Sequence, residues 1–196
     1  MSDPALETLI YGLNETGFLN GLGDDARILF INARVHNNLP RGMQCVQWFK
    51  PYAQASEERD FQNTPRIENV DAAFDHAFLL FPKNIIEGRY LIARALQLLK
   101  DGGSLFVVAE NKAGGTRLQK IVQQFGGEIV QQISKNKSRF VQIENTDIDK
   151  DFVRECIDAG SMKTIDGNGF SAQAGIYGWD KIDKGSQILL QHVSHN

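Results

Sequence analysis

An α/β domain with a mostly parallel sheet and an antiparallel hairpin at its edge is the fold this sequence predicts. Three observations carry that prediction. Continuous apolar runs at 26–33, 74–81 and 104–109 have the length and the branched or aromatic content of strands buried on both faces. Between the second and third runs, Ile86, Tyr90, Ala93, Leu96 and Leu99 recur at helical spacing. Two extended segments, 128–134 and 138–144, flank the polar turn Lys135-Asn136-Lys137, which is a hairpin signal. Strand–helix–strand alternation brings parallel pairing with it, and the hairpin supplies the antiparallel edge.

The elements follow in order. Asp3-Pro4 is a cap and first-turn pair for an amphipathic helix over 4–16, with Leu6, Leu9, Ile10 and Leu13 on one face. Gly17, Gly21 and Gly23 interrupt it. The strand 26–33 leads into a polar stretch, 34–40, and 45–49 is a second, shorter strand. Residues 51–70 read as polar and irregular, with local helix around 53–59. Phe81-Pro82 ends the next strand, and the helix over 85–99 begins with Glu87 in its first turn, where a carboxylate meets the positive end of the dipole and serves as a cap. Asp101-Gly102-Gly103 is expected to terminate that helix. Gly114-Gly115-Thr116 opens another helix, with Leu118, Ile121, Val122 and Phe125 on one face, and Gly126-Gly127 stops it. After the hairpin, 147–156 is a short helix or an extended excursion, glycines crowd 160–178, and Gly185 to Val193 starts an apolar helix.

Composition narrows the function classes. With 196 residues and a hydrophobic fraction of 42%, the chain can build a sizeable core. A formal charge of -3 argues against a surface that is basic throughout, and leaves room only for a local phosphate patch. Cys45 and Cys156 are isolated, which suggests reduced, buried thiols. His36, His76, His192 and His195 lack metal-ligand spacing, and no serine has nucleophile-elbow surroundings. No apolar run approaches a membrane span, and the amino terminus lacks a basic-then-apolar leader, so the cytoplasm is the expected compartment and no membrane the expected partner.

In a doubly wound domain, ligand chemistry belongs at the carboxyl ends of the strands, and adenine-containing cofactors exploit glycines after the first strand. Here that turn reads Asn32-Ala33-Arg34-Val35-His36-Asn37-Asn38, without a glycine. Side chains at each of these positions crowd a cofactor's approach to the backbone. Gly114-Gly115 has the geometry of an anion site, but a tight connection is the better explanation of two adjacent glycines.

Several stretches resemble one family. They are Phe81-Pro82-Lys83, the later Glu87, the Gly102-Gly103 pair, the run from Leu105 to Lys112, and GIYGWDKIDKGSQILLQ from Gly175 to Gln191. Together these are similar to the amino-terminal half of the bacterial ribosomal RNA small-subunit methyltransferase C family, which modifies a guanine exocyclic nitrogen. Where that family has a phenylalanine-serine type segment, this chain has Tyr177-Gly178-Trp179. Asp183, Gly185, Ser186 and Gln187 match it. The resemblance implies a Rossmann-like class I methyltransferase fold in a tandem pair, in which only the carboxyl-terminal domain binds S-adenosylmethionine and carries an Asn-Pro-Pro type motif. This chain has no Asn-Pro-Pro sequence. It is expected to be the non-catalytic half, binding no cofactor itself, with 1–174 as the degenerate domain and 175–196 as a linker into the catalytic one.

Within that frame, Lys83 at a strand end is a candidate phosphate contact, against the alternative of a solvated turn lysine. Glu110, Asn111 and Lys112 end another strand and offer either RNA contact or structural and interdomain hydrogen bonds. Arg117 and Lys120 extend the positive charge near Lys112. Asp183, Ser186 and Gln187 are candidates for positioning the catalytic domain. The implied partners are that domain and ribosomal RNA or the small ribosomal subunit. Two other readings stand beside this one: an active methyltransferase with an atypical cofactor site, and a stand-alone homodimeric interaction domain.

Overall fold

The computed structural model describes residues 3–71, 73–165, 170–176, 178–180 and 184–193. In chain order they form α1 (Pro4–Glu15), α2 (Phe18–Gly21), β1 (Ile28–Ile31), β2 (Gln44–Val46), α3 (Lys50–Glu57), β3 (Gln62–Thr64), β4 (Phe74–Leu80), α4 (Ile85–Leu98), β5 (Leu99–Glu110), α5 (Leu118–Gln123), β6 (Ile129–Lys135), β7 (Ser138–Glu144), α6 (Lys150–Gly160), β8 (Lys163–Ile165), β9 (Phe170–Ala172) and α7 (Lys184–Val193). Seven strands make one sheet in the order β3-β2-β1-β4-β5-β7-β6. The first five are parallel to one another, while β7 runs antiparallel to β5 and to β6. This is the class I methyltransferase arrangement, a Rossmann-like sheet closed by an antiparallel hairpin. β8 and β9 pair separately.

Because successive side chains leave a strand on opposite faces, each central strand feeds two cores. Leu29, Ile31, Leu79, Leu105, Val107 and Val141 join the layer under α4, α5 and α6. Ile28, Phe30, Phe78, Leu80, Phe106, Val108 and Phe140 join the layer under α1. On that second face the rings of Phe30, Phe78, Phe106 and Phe140 form a row, with consecutive centroids 5.8, 5.5 and 5.9 Å apart. Phe18 closes over it, edge-on to Phe106 at 4.7 Å. Helix α1 lies on this row through Leu6, Leu9, Ile10 and Leu13, and Asp3 caps it by accepting from the backbone N–H of Ala5 and Leu6. Gly12 permits the close approach: a Cβ there would stand 2.4 Å from the Phe140 ring.

The structure corrects three expectations. Asp101-Gly102-Gly103 does not end α4, because the helix stops at Leu98 and the chain enters β5 directly with Leu99 extended. The glycines instead form a bulge in β5, where the pairing jumps from Phe74↔Leu99 to His76↔Ser104 and Gly102 takes a φ of 75°. Turn chemistry serves a bulge as well as a helix end, so sequence did not separate the two. The local helix expected around 53–59 is α3, but the rest of 51–70 is not all irregular: it holds the edge strand β3, whose Gln-Asn-Thr composition has no apolar signature because none of its side chains is fully buried. The strand expected over 45–49 is β2 at 44–46, and Trp48 and Phe49 lie outside it and exposed. Of the alternatives for 147–156, helix is the outcome, since Asp149 caps α6 by accepting from Asp151 and Phe152 N–H.

Both cysteines are free and buried, and burial pushes the thiols up, to about 12 for Cys45 and about 11 for Cys156, so neither is a reactive thiolate. Among the described residues no helix is long and apolar enough to cross a membrane, and no His/Cys/Asp/Glu group is placed to hold a metal.

Replacing Gly12 by Val tests how tightly α1 is seated. Phe140 is fully buried and has no room to yield, so overpacking at about 2 kcal/mol should outweigh the helix-propensity gain of a few tenths over glycine. Urea denaturation of Gly12→Val should show a lower midpoint with an unchanged slope.

Candidate functional site

In this sheet the strand order reverses between β1 and β4, and ligands of open α/β sheets bind in the crevice beyond that reversal. A cleft of about 520 Å³ lies there, lined from the ends of β1, β2, β4 and β5 by Asn32, Gln47, Leu80 and Glu110, with Arg34, Tyr52, Lys83 and Glu87 around them.

The turn after β1 is filled by its own side chains. Asn32 sits in the left-handed region at φ 55°, which asparagine tolerates better than most residues, and its Nδ2 donates to Leu80 O at 2.9 Å. That bond draws the ends of β1 and β4 together at the reversal. Arg34 Nη1 donates to Asn32 O at 2.8 Å and Ala33 O at 3.0 Å, while its Cζ lies 3.6 Å from the centroid of Tyr52 on α3. Its buried Nε has no hydrogen-bond acceptor, the Asp3 carboxylate being 3.7 Å away. A guanidinium stacked on a ring and half-desolvated gains about 1–2 kcal/mol from the contact. Gln47, buried at the end of β2, donates from Nε2 to Ala33 O and accepts at Oε1 from Phe49 N–H, both at 2.9 Å. The carbonyl oxygens of Asn32 and Ala33 at this turn are therefore already bonded.

Glu87 differs most from its expected role. Asn84, not Glu87, caps α4, accepting from Ile86 and Glu87 N–H. The Glu87 side chain turns into the cleft and packs on Gly175, where φ is 104° and a Cβ would meet the carboxylate at 2.4 Å. No hydrogen-bond partner reaches its carboxylate among the described residues, and burial alone raises its pKa from 4.5 to about 7. The rule that acidic residues belong in a helix's first turn explained the position too well and hid the burial.

The other predicted site residues divide between the cleft and the surface. Lys83 is exposed at the cleft mouth and Glu110 lines its wall. Lys112 Nζ lies 3.6 Å from Glu110 Oε2, with most of its side chain in solvent. Asn111 donates its backbone N–H to Lys137 O at 2.8 Å, joining the end of β5 to the hairpin turn, and its buried Oδ1 has no hydrogen-bond partner. Arg117 and Lys120 are exposed three residues apart, and neither lines the cleft. Ser186 is exposed on α7, Gln187 follows it in that helix, and Asp183 lies outside the described residues. Sequence reasoning missed the aromatic group Trp48, Phe49 and Tyr52 at the cleft. The Trp-Phe-x-x-Tyr run was the available signal, split between a segment read as strand, 45–49, and a stretch read as polar, 51–70.

With the geometry in place, comparison with known proteins is informative. The family described as methyltransferase small domain N-terminal matches residues 24–155. The chain belongs to that family. Among its relatives, a ribosomal RNA small subunit methyltransferase C from Aeromonas hydrophila is 29% identical over 123 residues, covering 60% of this chain and 35% of that protein. The Acinetobacter baumannii (strain AYE) protein of the same name is 25% identical over 98% of this chain and 56% of its own length. The chain thus spans about half the length, or less, of the curated relatives it matches, and corresponds to their amino-terminal module. The solved T. thermophilus 16S rRNA N2 G1207 methyltransferase, in complex with AdoMet and guanosine, superposes with a TM-score of 0.63 at 14% identity, over 98% of this chain and 52% of that one. The N-methyltransferase NodS of Bradyrhizobium japonicum WM9 gives 0.56 at 12% identity, over 74% of this chain and 99% of that one. At these identities the superpositions speak for the fold.

Glu87 makes a pH test possible. At low pH its carboxyl is protonated whether the chain is folded or not, and burial costs nothing. As pH rises from 4.5 toward about 7 the unfolded chain ionises first, so folding stability falls across that window and levels off above it. Urea denaturation at pH 5 and pH 8 should show Glu87→Gln more stable than the parent at pH 8, with the gap narrowing at pH 5.

Proposed function

We propose that this chain is the non-catalytic amino-terminal domain of an S-adenosylmethionine-dependent ribosomal RNA guanine-N2 methyltransferase. In this reading residues 1–174 form the domain, and 175–196 lead into a catalytic domain that it supports and helps to direct onto structured ribosomal RNA in the cytoplasm. One observation carries the non-catalytic assignment. The turn after β1, where a dinucleotide or S-adenosylmethionine fold needs bare backbone, is occupied by Asn32 bonded to Leu80 O and by Arg34 stacked on Tyr52. These residues do not fit a cofactor that must approach the main chain there, so no methyl-transfer step is assigned to this chain.

RNA contact is supported by the exposed cations after β5. Lys112, Arg117 and Lys120 occupy one short stretch between β5 and the end of α5, and a local patch of this kind grips phosphate without requiring a basic protein. Asp183, Ser186 and Gln187 fall in the segment assigned to positioning the catalytic domain.

Calorimetric titration with S-adenosylmethionine and its demethylated product tests the first part. The folded chain should give no binding heat, and micromolar affinity for either would restore the enzymatic reading. For the second part, a structured ribosomal RNA fragment should bind with a salt dependence that loses about one unit of slope for each of Lys112, Arg117 and Lys120 replaced by Ala. An unchanged slope in the triple variant would remove the patch from the RNA interface.

A further inference from the structure

The cleft beside the filled turn remains open, and two carboxylates, Glu87 and Glu110, lie on its lining. Several of its donors are engaged internally: the Gln47 amide serves Ala33 O, and Arg34 Nη1 serves Asn32 O and Ala33 O, while Arg34 Nε has no acceptor. The Glu87 carboxylate has no hydrogen-bond partner among the described residues, and Glu110, on the same lining, has only the solvent-exposed Lys112 at 3.6 Å. Carboxylates without partners on the lining favour a ligand that brings N–H donors.

The rim adds two further requirements. Trp48, Phe49 and Tyr52 are 69%, 45% and 39% exposed, and they meet edge to face, with centroids 6.2 Å apart for Trp48 and Phe49 and 5.1 Å for Phe49 and Tyr52. Three large aromatic side chains left in solvent at the lip of a cleft favour a flat ring as ligand, since stacking needs a π-face and little else. Lys83, at the mouth, has no carboxylate partner among the described residues, and is placed for an anion outside the cleft. The space, about 520 Å³, lies within the range of small-ligand pockets and admits a single nucleotide.

We propose that this cleft takes one unstacked RNA base, stacked on the Trp48–Phe49 surface, with its N–H edge on Glu87 and the adjoining phosphate at Lys83. The proposal rests on the RNA-directing reading above and gives it a second contact, separate from the Lys112, Arg117 and Lys120 patch. It also sets a preference. Guanine, adenine and cytosine present an exocyclic amine to a carboxylate, whereas uracil offers one N–H flanked by carbonyl oxygens that the carboxylates repel. The site therefore selects against uracil.

The chain has two tryptophans, so a Trp179→Phe background leaves Trp48 as the reporter. Short single-stranded RNAs of uniform base are titrated at pH 8, with fluorescence read at each step. Adenine and cytosine oligomers should quench Trp48 and bind about tenfold more tightly than the uracil oligomer. Glu87→Gln should weaken them by about tenfold and erase the preference, while circular dichroism shows the fold retained. Trp48→Ala, a change at an exposed site, should weaken all oligomers by about tenfold when binding is read by anisotropy of labelled RNA. Lys83→Ala should weaken the oligomers and leave quenching by free nucleosides unchanged. No quenching by any oligomer, or equal affinity of Glu87→Gln and parent, overturns the base site. If the structured RNA fragment still binds in that case, the RNA-directing reading survives without it. If neither RNA binds, both fall.

Discussion

The seating of α1 on the row of phenylalanine rings is the contact on which the rest of the architecture turns. Four strands each contribute one ring to that row, and the helix lies over its β5 and β7 end while Phe18 closes over Phe78 and Phe106. Gly12 brings it down to contact distance. The consequence reaches the functional edge, because the same docking delivers the capping residue Asp3 to the cleft wall, 3.7 Å from Arg34. A helix lifted away from Phe140 would take that carboxylate with it and leave Arg34 held by Tyr52 and two carbonyl oxygens alone.

In a parallel sheet the strand ends at a topological reversal splay apart, and the main-chain groups exposed there need partners. Cofactor-binding domains leave them for a ligand. This chain bonds the carbonyl oxygens of Leu80, Ala33 and Asn32 internally, with the Asn32 amide across β1 and β4, the Gln47 amide across β1 and β2, and the Arg34 guanidinium over the turn between them. Among the lining carboxylates, Glu87 has no hydrogen-bond partner within the described residues, and Glu110 has only Lys112 at 3.6 Å.

Charge is distributed to the same effect. With a net charge of -3 the chain has no long-range attraction for RNA, and contact has to be made at particular points. Lys83 stands at the cleft mouth, while Arg117 and Lys120 stand outside it. Cations at the edges and acceptors inside is the order in which a nucleotide presents its own groups, phosphate outward and base edge inward.

Much of this was legible in the sequence. Apolar runs, the spacing of Ile86 to Leu99 and the Lys135-Asn136-Lys137 turn determined the alternating fold and its hairpin, because burial on both faces and turn geometry are local demands written in consecutive residues. The turn from Asn32 to Asn38 was equally readable, since a missing glycine is visible without coordinates. Only the tertiary structure decided what fills that turn, because Tyr52 and Leu80 reach it from elements far along the chain. It also decided that Gly102 and Gly103 make a bulge, that Gln62 to Thr64 is a strand, and that Glu87 faces a cleft. The physical reason is common to all four. Edge pairing, register and the desolvation of a carboxylate depend on what lies across from a residue, and its sequence neighbours do not specify that.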